Sequence, residues 1–375
     1  MSSTNRTNTR PFTIAPLTVP AALDDPDAAD FIGFARVRRI VEAELRGGAA
    51  DGGPDSGTDT ALDRTTAAAL LPDWRDESSP MAGLVGTVEG RVVARGSLAL
   101  PVGARECWCA VGVLPAYRGR GIGSALYGRL EGLAREAGRT TLQNQTPFPA
   151  GVEGEAIPAP TGYGAVPVGL ASTRFLRRQG FSVEQVGRLS GLSLPMQEGV
   201  FAGHLAEAFS AAAGYRTVTW QGRTPEQWQD GMALLRTRMS TDTPNAGIEQ
   251  TEDVWTAARV RSVDDLRAQS PHVVLTTIAV HDATGRVAGY TEIEVVPEAD
   301  APADQLDTLV LAEHRGHRVG MLLKLANLRQ LGERFPQSAT VETMNAEDNR
   351  HMLDVNESLG FVPLSYAARW RKALV

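Results

Sequence analysis

Cysteine is scarce in this sequence, in which Cys107 and Cys109 are the only two among 375 residues. They lie two positions apart on a predicted strand, so their side chains point to the same face and make a poor disulfide pair. A structural zinc ion needs four ligands, and we therefore expect no metal site. A cysteine-poor chain without an apolar signal segment is expected in the cytoplasm.

Long apolar runs and an excess of positive charge are also missing. No run approaches the roughly 20 apolar residues of a transmembrane helix, so no membrane partner is expected. The formal net charge of −7 argues against nucleic acid as a partner. The hydrophobic content of 42% allows a large core, and the length suits two domains. The polar residues 1–10 are predicted to form a disordered leader.

One glycine-rich stretch follows a predicted strand. From Val111 to Ser124 it reads Val-Gly-Val-Leu-Pro-Ala-Tyr-Arg-Gly-Arg-Gly-Ile-Gly-Ser, and leucines at helical spacing follow. Glycines let a ligand approach the backbone, and a helix start offers unpaired amides that suit a pyrophosphate. The spacing, without Gly-Lys-Ser/Thr, fits neither a P-loop nor a dinucleotide site. A purely structural turn is the plainer alternative.

The same order of predicted elements occurs a second time in the chain. A second loop, His-Arg-Gly-His-Arg-Val-Gly, contains Arg315, and each half closes on a Gly-Phe pair. Arg118 precedes Gly180 by 62 positions, and Arg315 precedes Gly360 by 45. The difference of 17 residues falls in the Gly/Pro-rich segment 147–169, as one inserted loop in a shared plan would. A lid and a disordered loop are both open interpretations of that segment.

The first loop resembles the acyl-CoA-binding loop of the GCN5-related N-acetyltransferases (GNAT), whose pattern is Arg/Gln-x-x-Gly-x-Gly/Ala after a strand ending Val-x-Pro. Arg118, Gly121 and Gly123 fill this pattern behind Val113 and Pro115. The resemblance covers nearly the whole chain and matches the tandem arrangement of actinobacterial acetyltransferases, to which mycothiol synthase is related. It implies an α/β (α+β mixed sheet) fold with two tandem GNAT-type domains: a leader 1–10, domains 11–197 and 215–375, and a linking helix 198–214.

The resemblance further implies that acetyl-CoA (coenzyme A) is the cofactor, held by each loop and the strand before it. In the first half the implied residues are Val111, Val113, Arg118, Gly119, Arg120, Gly121, Ile122, Gly123 and Ser124. In the second half they are Leu309, Val310, Leu311, Arg315, Gly316, His317, Arg318, Val319, Gly320 and Asn349. Arg318 stands where the family has its middle glycine, which costs backbone freedom and weakens the expected pyrophosphate site.

The two halves depart from the family pattern in different ways. Members often carry a Tyr four residues before the closing Gly-Phe, where it protonates the sulfur; here Leu176 and Asn356 occupy that position. An acidic residue often acts as base near the loop strand, and the first half has Cys109 and Ala110 there. We therefore assign the chemistry to the second half. The candidate catalytic residues are Asp307, Glu292, Glu294 and Asn356.

Each of these candidates also has a plainer interpretation. Glu292 and Glu294 share one face of a strand and would suit a solvated surface. Asp307 would suit an ion pair with a neighbouring Lys or Arg. Asn349 is a typical helix cap, as Asn345 is a typical turn residue. The histidines at 314 and 317 would suit surface positions beside the loop.

The acceptor site is expected at the loop after the first helix of the second half. The candidate substrate contacts are Met239, Ser240, Asp242 and Pro244. The expected acceptor is a primary amine of a small molecule or peptide, and the transfer is direct because no nucleophile–base pair is visible. A non-catalytic acyl-CoA sensor or scaffold is the alternative, as is a pair in which one half supports the other. A monomer or a homodimer is expected.

Overall fold

The computed structural model describes residues 11–45, 61–242, 246–249, 251–296 and 301–374, without the side chains of residues 61 and 62. The predicted leader 1–10 and Pro244 lie outside the described residues. The chain forms two compact units. Unit 1 comprises Met1–Gln145 and Arg371–Val375, and unit 2 comprises Thr146–Trp370. Within the described residues, no helix has the length and apolar character needed to cross a bilayer.

The described residues of unit 1 form a mixed sheet and three α-helices. Its elements are β1 (Phe12–Pro16), α1 (Ala29–Leu45), α2 (Ala61–Leu70), β2 (Met81–Val88), β3 (Arg91–Ala99), β4 (Glu106–Val113), α3 (Ile122–Glu136) and the first residues of β5 (Thr141–Pro149). The strand order is β1-β2-β3-β4-β5. Only β4 and β5 run parallel; the other neighbours are antiparallel.

Unit 2 contains a second mixed sheet with the same local plan. Its elements are β6 (Ala156–Pro158), β7 (Ala165–Pro167), α4 (Ala171–Arg178), β8 (Ser182–Ser193), α5 (Glu198–Ala211), β9 (Tyr215–Gln221), α6 (Gln229–Asp242), α7 (Ala257–Arg267), β10 (Val273–His281), β11 (Val287–Val295), β12 (Ala303–Val310), α8 (Val319–Arg334), β13 (Thr340–Ala346), α9 (Arg350–Leu359) and most of β14 (Val362–Ala373). The strand order is β14-β8-β13-β12-β11-β10-β9. Strands β12 and β13 are parallel.

Each sheet is covered by helices whose apolar residues recur at helical spacing. In unit 1, Phe31 and Phe34 of α1 are fully buried, and Trp74 meets both rings edge-on at centroid distances of 5.8 and 5.1 Å. Gly33 allows α1 to lie close to β3, because a Cβ there would come within 2.9 Å of Val92 Cβ. In unit 2, the leucines of α8 are buried against the sheet and α5.

The last strand of the first sequence repeat lies in the sheet of unit 2, beside strands of the second repeat. Strand β8, from the first repeat, pairs with β13 of the second from Ser193↔Thr340 to Gly187↔Ala346. At the chain's end, the Leu374 amide donates to the Thr140 carbonyl at 2.8 Å within unit 1. The compact units therefore divide the chain differently from the predicted domains 11–197 and 215–375, which stay a prediction about the repeats.

Two local expectations change in the structure. The inserted segment forms a small antiparallel hairpin of β6 and β7, with Ile157 opposite Val166, so the disordered alternative is wrong. Helix α6 continues to Asp242 instead of ending at Arg238, and it takes in three of the predicted substrate contacts. The predicted linking helix 198–214 corresponds to α5, Glu198–Ala211.

The chain has two lysines, and one of them is buried in unit 2. Lys324 on α8 is 1% exposed and forms no hydrogen bond or ion pair with any described residue. Burial lowers the pKa of Lys324 from an ordinary 10.5 to about 7. Between these values the unfolded chain binds more protons than the folded one, so stability rises with pH across this interval.

Replacing Lys324 with methionine is expected to remove this dependence. At pH 7, Lys324→Met should raise the free energy of unfolding by a few kcal/mol, because each unit of pKa difference is worth about 1.4 kcal/mol. Near pH 10 the two proteins should be almost equally stable. Urea unfolding at several pH values between 7 and 10 measures both slopes, and equal slopes would contradict the account. Lys372→Met, which removes the lysine bonded to Glu131 at 2.8 Å, is the control.

Candidate functional site

The two glycine-rich loops have matching backbone conformations. Each starts with one turn of 3-10 helix, at Pro115–Tyr117 or at Ala312–His314, and leads into α3 or α8. The residue just before the helix is left-handed in both, with φ of +85° at Gly121 and +52° at Arg318. The strand–loop–helix predicted in each half is confirmed. The left-handed Arg318 bears the backbone cost expected of a residue that replaces glycine.

Each loop leads into a helix whose first amides have no carbonyl partner within the helix. The first main-chain bonds of the helices run from Ala125 to Gly121 and from Leu322 to Arg318, so the amides before them have no carbonyl within the helix. A Cβ built on Gly119 or Gly121 would meet no heavy atom within 4 Å, which leaves the surface of the first loop open. Such a cradle fits a pyrophosphate.

The loop arginines fasten the loops to the first helix of each half. Arg118 Nε donates to the Val113 carbonyl at 2.9 Å, and its Nη atoms bond both oxygens of Glu44 at 2.7 Å. Arg315 Nε donates to the Val310 carbonyl at 3.0 Å, and Nη2 reaches Asp242 at 3.2 Å. These side chains therefore hold the cradle in shape, and Asp242 is tied to the loop.

The acidic partner Glu44 was not among the predicted residues. A signal for it exists in the sequence, because Glu44 precedes Arg118 by 74 positions and Asp242 precedes Arg315 by 73. Both acids lie at or near the end of the helix that follows the first strand of each half. Nearly equal spacing of opposite charges in two repeats indicates a shared contact.

The parallel strands beside each loop pair over a short distance only. Strand β4 pairs with β5 over Glu106–Trp108, and β12 pairs with β13 over Ala303–Gln305. Beyond these points the strands part and leave backbone groups of Val111, Val113, Leu309 and Val310 without that neighbour. A slot of this kind can receive an extended chain through backbone hydrogen bonds.

The two slots differ in how they are filled. In unit 1, Asn144 Nδ2 of β5 donates to the Cys109 carbonyl at 2.7 Å, and this bond is buried. The equivalent strand position in unit 2 is Met344, whose side chain has no amide group that could donate such a bond. The slot of unit 1 is therefore partly occupied by its own side chain.

A β-bulge distinguishes the loop strand of unit 2. Thr291 pairs with Thr308 and Ile293 with Gln305, so β12 carries one extra residue across from Glu292. The pairing of β3 with β4 in unit 1 is regular. A bulge bends a strand and re-aims a side chain, and here the redirected residues include Asp307.

Asp307 lies against the buried tyrosine of the neighbouring strand. Tyr290 is fully buried, and its hydroxyl donates to Asp307 Oδ2 at 3.1 Å. Desolvation of the carboxyl group and then the negative charge of Glu292 raise the pKa of Asp307 above its ordinary value. The residue as a whole is nevertheless exposed to solvent. No described residue forms an ion pair with Asp307. The alternative that Asp307 serves only as an ion-pair partner of a Lys or Arg is therefore not supported.

Glu292 is a buried ion-pair partner. It is 3% exposed and accepts a hydrogen bond from Arg236 Nη2 at 2.9 Å. Burial by itself would raise the pKa of Glu292, but the charges of Arg236 and Arg267 outweigh it and hold the pKa below its usual value. The expectation of a solvated strand face is wrong for this residue. Glu294, half-buried, lies 3.0 Å from His272 Nδ1.

Arg236 and Tyr290 are residues of this cluster that the sequence interpretation missed. Arg236 is buried, stacks its guanidinium 4.8 Å from the centre of the Trp255 ring, and leaves Nη1 without a hydrogen-bond partner among the described residues. A buried arginine needs a carboxylate, so the available signal was Arg236, which follows the apolar residues 232–235 on the buried side of the helix, unlike the exposed Arg238.

The three asparagines near the end of unit 2 have local partners. The Asn349 side chain caps α9 by accepting from the Met352 amide at 3.4 Å. Asn356 is buried, and its Nδ2 donates to Asn345 Oδ1 at 2.6 Å. Leu176, the counterpart in the first repeat, is buried and apolar. Cofactor binding by Asn349 and catalysis by Asn356 stay predictions.

The predicted substrate contacts are used structurally where they are described. Ser240 Oγ donates to the Thr237 carbonyl at 2.7 Å and accepts from the Asp253 amide at 3.0 Å. Met239 packs against the hydrophobic cluster that contains Trp220 and Tyr290. These residues stabilise the packing of the end of α6 against the segment before α7 and against the hydrophobic cluster. Their contact with an acceptor stays a prediction.

Histidines of the second loop form an aromatic cluster with Tyr215. The Tyr215 hydroxyl and His314 Nδ1 are 3.0 Å apart, and the His281 and His314 rings lie 5.4 Å apart. His317 packs 5.9 Å from the Tyr215 ring. The cluster fastens the loop to the start of β9.

Comparison with known proteins agrees with this geometry. A model of the acetyltransferase (GNAT) family matches residues 54–147. A tandem GNAT protein from the clavulanic acid biosynthesis pathway is 28% identical, with a TM-score of 0.69 over 97% of this chain and 98% of that protein. The chain has the tandem GNAT fold. None of the curated proteins matches its sequence.

The same fold also occurs in a more distant structure. A GCN5-related N-acetyltransferase from Sphaerobacter thermophilus is 14% identical, with a TM-score of 0.57 over 96% of this chain and 95% of that one. At this identity the likeness concerns the fold alone. The family reaction is acyl-CoA-dependent transfer of an acetyl group, and this coarse activity agrees with the two cradles and slots.

The strain at Arg318 can be measured with two variants. Arg318→Gly and Arg318→Ala both remove the exposed ion pair with Glu207, but only glycine relaxes the left-handed backbone. The left-handed penalty of about 1–2 kcal/mol exceeds the extra unfolded-state entropy of glycine, about 0.5–1 kcal/mol. We expect the glycine variant to be more stable than the alanine variant by roughly 0.5–1 kcal/mol in urea unfolding. Equal stability would mean that no strain is stored there.

Proposed function

We propose that the protein is an acetyl-CoA-dependent N-acetyltransferase that acts on a primary amine of a small molecule or peptide. The chemistry belongs to unit 2, and the transfer is direct. The observation that carries this proposal is Asp307, which lies in the bulge of β12, two residues past the end of the pairing with β13, and accepts a hydrogen bond from Tyr290 at 3.1 Å. Unit 1 has neither the bulge nor a carboxylate at the equivalent position, Ala110.

The residues of unit 2 fit the cofactor that the family uses. The amides at the start of α8 and the loop residues Gly316, His317 and Arg318 would hold the pyrophosphate, and Leu309 and Val310 would bond the extended arm. Bound acetyl-CoA supplies the acetyl group as an activated thioester.

Asp307 is proposed as the general base. A protonated amine cannot attack a thioester, so one proton must leave the acceptor nitrogen before the new N–C bond forms. The raised pKa of Asp307 makes its carboxylate a stronger proton acceptor than an ordinary aspartate. Tyr290 donates to the same carboxylate and orients it. Glu292 is already paired with Arg236, so it acts on Asp307 through its charge.

Substitution of Asp307 and of Tyr290 tests the proposal through two measured quantities, kcat and the pH dependence of kcat/KM. Asp307→Asn should lower kcat by roughly 10²–10⁴-fold, the range for loss of a general base, while acetyl-CoA still binds. The hydroxyl of Tyr290 lowers the pKa of Asp307 by hydrogen bonding. Tyr290→Phe should therefore raise that pKa further and move the acidic limb of the kcat/KM profile to higher pH.

The pH profile is measured with one amine and saturating acetyl-CoA in both variants and the parent protein. Arg216→Ala, which breaks an exposed ion pair with Asp282, is the matched control and should leave the profile unchanged. Full activity of Asp307→Asn would contradict the assignment. Binding of acetyl-CoA without transfer to any amine in the parent protein would favour the alternative of a sensor or scaffold.

A covalent route through a thiol is not part of the proposal. Burial raises the pKa of Cys107 to about 11 and that of Cys109 to about 12, so both are neutral thiols at neutral pH. We expect Cys109→Ala to keep at least about half of the parent activity, since it removes a small buried side chain and no nucleophile. Steady-state rates check this, and loss of activity in a folded Cys109→Ala protein would overturn direct transfer.

A further inference from the structure

Unit 2 contains a cavity of about 520 Å³ beside the proposed active site. It lies where the ends of β9 and α7 meet the start of β10 and the middle of β11. The polar side chains that line it are Gln221, Arg223, Asp264, Arg267, Ser270, His272 and Glu292. Its volume falls within the range of small-molecule sites, about 300–1,000 Å³.

The cavity and Asp307 share one wall. Glu292 lines the cavity and lies across from the bulge that contains Asp307. Tyr290, which bonds Asp307, is two residues from Glu292 on β11, so both point to the same face of the sheet. The charges of Glu292 and Arg267 both act on the pKa of Asp307. A molecule with its amine at Asp307 therefore has the cavity as the adjoining space.

The guanidinium groups around the cavity differ in the hydrogen bonds that they form with the protein. Arg223 Nε donates to Asp265 at 2.7 Å, and Arg236 donates to Glu292 at 2.9 Å. The guanidinium of Arg267 lies 3.7 Å from Glu292 and makes no hydrogen bond to any described residue. Its side chain is 37% exposed. Arg267 thus brings unused hydrogen-bond donors to the cavity.

The carboxylates that line the cavity are already compensated. Glu292 accepts from Arg236 and from Thr276 Oγ1, the latter at 3.4 Å. Asp264 accepts from the Thr224 amide at 2.8 Å and lies 3.9 Å from Arg236. The cavity lining therefore offers more unpaired hydrogen-bond donors than unpaired acceptors. An arginine fork suits a carboxylate in particular, because two parallel N–H groups match its two oxygens.

We propose that Arg267 binds a carboxylate of the acceptor in this cavity, so that the substrate class is an amine that also carries a carboxylate. This inference rests on the proposed function, since it takes Asp307 as the place of the amine. Arg267 is a specificity-determining residue in this account. It contacts the far end of the acceptor and leaves the proton transfer to Asp307.

The test compares amino acids with their own carboxamides as acceptors. The two members of such a pair share the amine and differ at the group that Arg267 would bind. The parent protein should show a kcat/KM at least roughly tenfold higher for the carboxylate member, the effect of one charge-assisted hydrogen-bond pair. Arg267→Ala should remove this preference through a higher KM for the carboxylate member. Arg267→Lys, which keeps the charge without the fork, should restore part of it.

The outcomes distinguish failure of the proposed role of Arg267 from failure of the proposed acetyltransferase activity. No preference in the parent protein, or an unchanged preference in Arg267→Ala, would overturn the inference while acetyl transfer stands. Arg216→Ala is again the control and should keep the preference. If no amine is acetylated, the binding of each amino acid and its carboxamide is measured by calorimetry, and this measurement tests the role of Arg267. Binding of carboxylate members that is lost in Arg267→Ala supports the inference, and its absence overturns it.

Discussion

The short parallel pairing beside each loop is the constraint on which the rest of the structure depends. In each unit the two parallel strands pair over three residues, Glu106–Trp108 with Thr141–Gln143 and Ala303–Gln305 with Val341–Thr343. Where the pairing stops, backbone groups that a full ladder would satisfy need other partners. Unit 1 supplies one itself, the amide of Asn144 at the Cys109 carbonyl. Unit 2 has a bulge at the same place and a carboxylate on it, so the two units share a plan and differ in chemistry.

A buried ion pair sets the electrostatics beside that bulge. Removing Glu292 and Arg236 from water is costly, and their contact at 2.9 Å offsets that cost only if both remain. Because Glu292 stays ionised, its charge disfavours ionisation of Asp307, and the pKa of Asp307 rises. The pair therefore does more than stabilise the packing of α6 on β11. It helps give the solvent-exposed Asp307 the properties of a base.

The loops, the repeat and the fold class could be predicted from the sequence because they rest on local chemistry. Glycine spacing and apolar periodicity determine a strand, a tight turn and a helix without help from distant residues. The partners of the site could not be predicted in this way. The hydrogen bond from Tyr290 to Asp307 depends on a one-residue bulge, and the contact of Arg118 with Glu44 joins residues 74 positions apart. The exchange of β8 between repeats escaped prediction for the same reason.

Assignment of the chemistry to unit 2 can be tested most directly with two matched loop variants. Gly123 and Gly320 occupy the second helical position of α3 and α8, and tryptophan at either would fill the cradle in front of the helix. We would titrate each variant with acetyl-CoA by calorimetry and measure acetyl transfer to one amine. The account predicts that Gly320→Trp loses a binding site together with transfer, whereas Gly123→Trp keeps transfer. Loss of transfer in Gly123→Trp alone would contradict it.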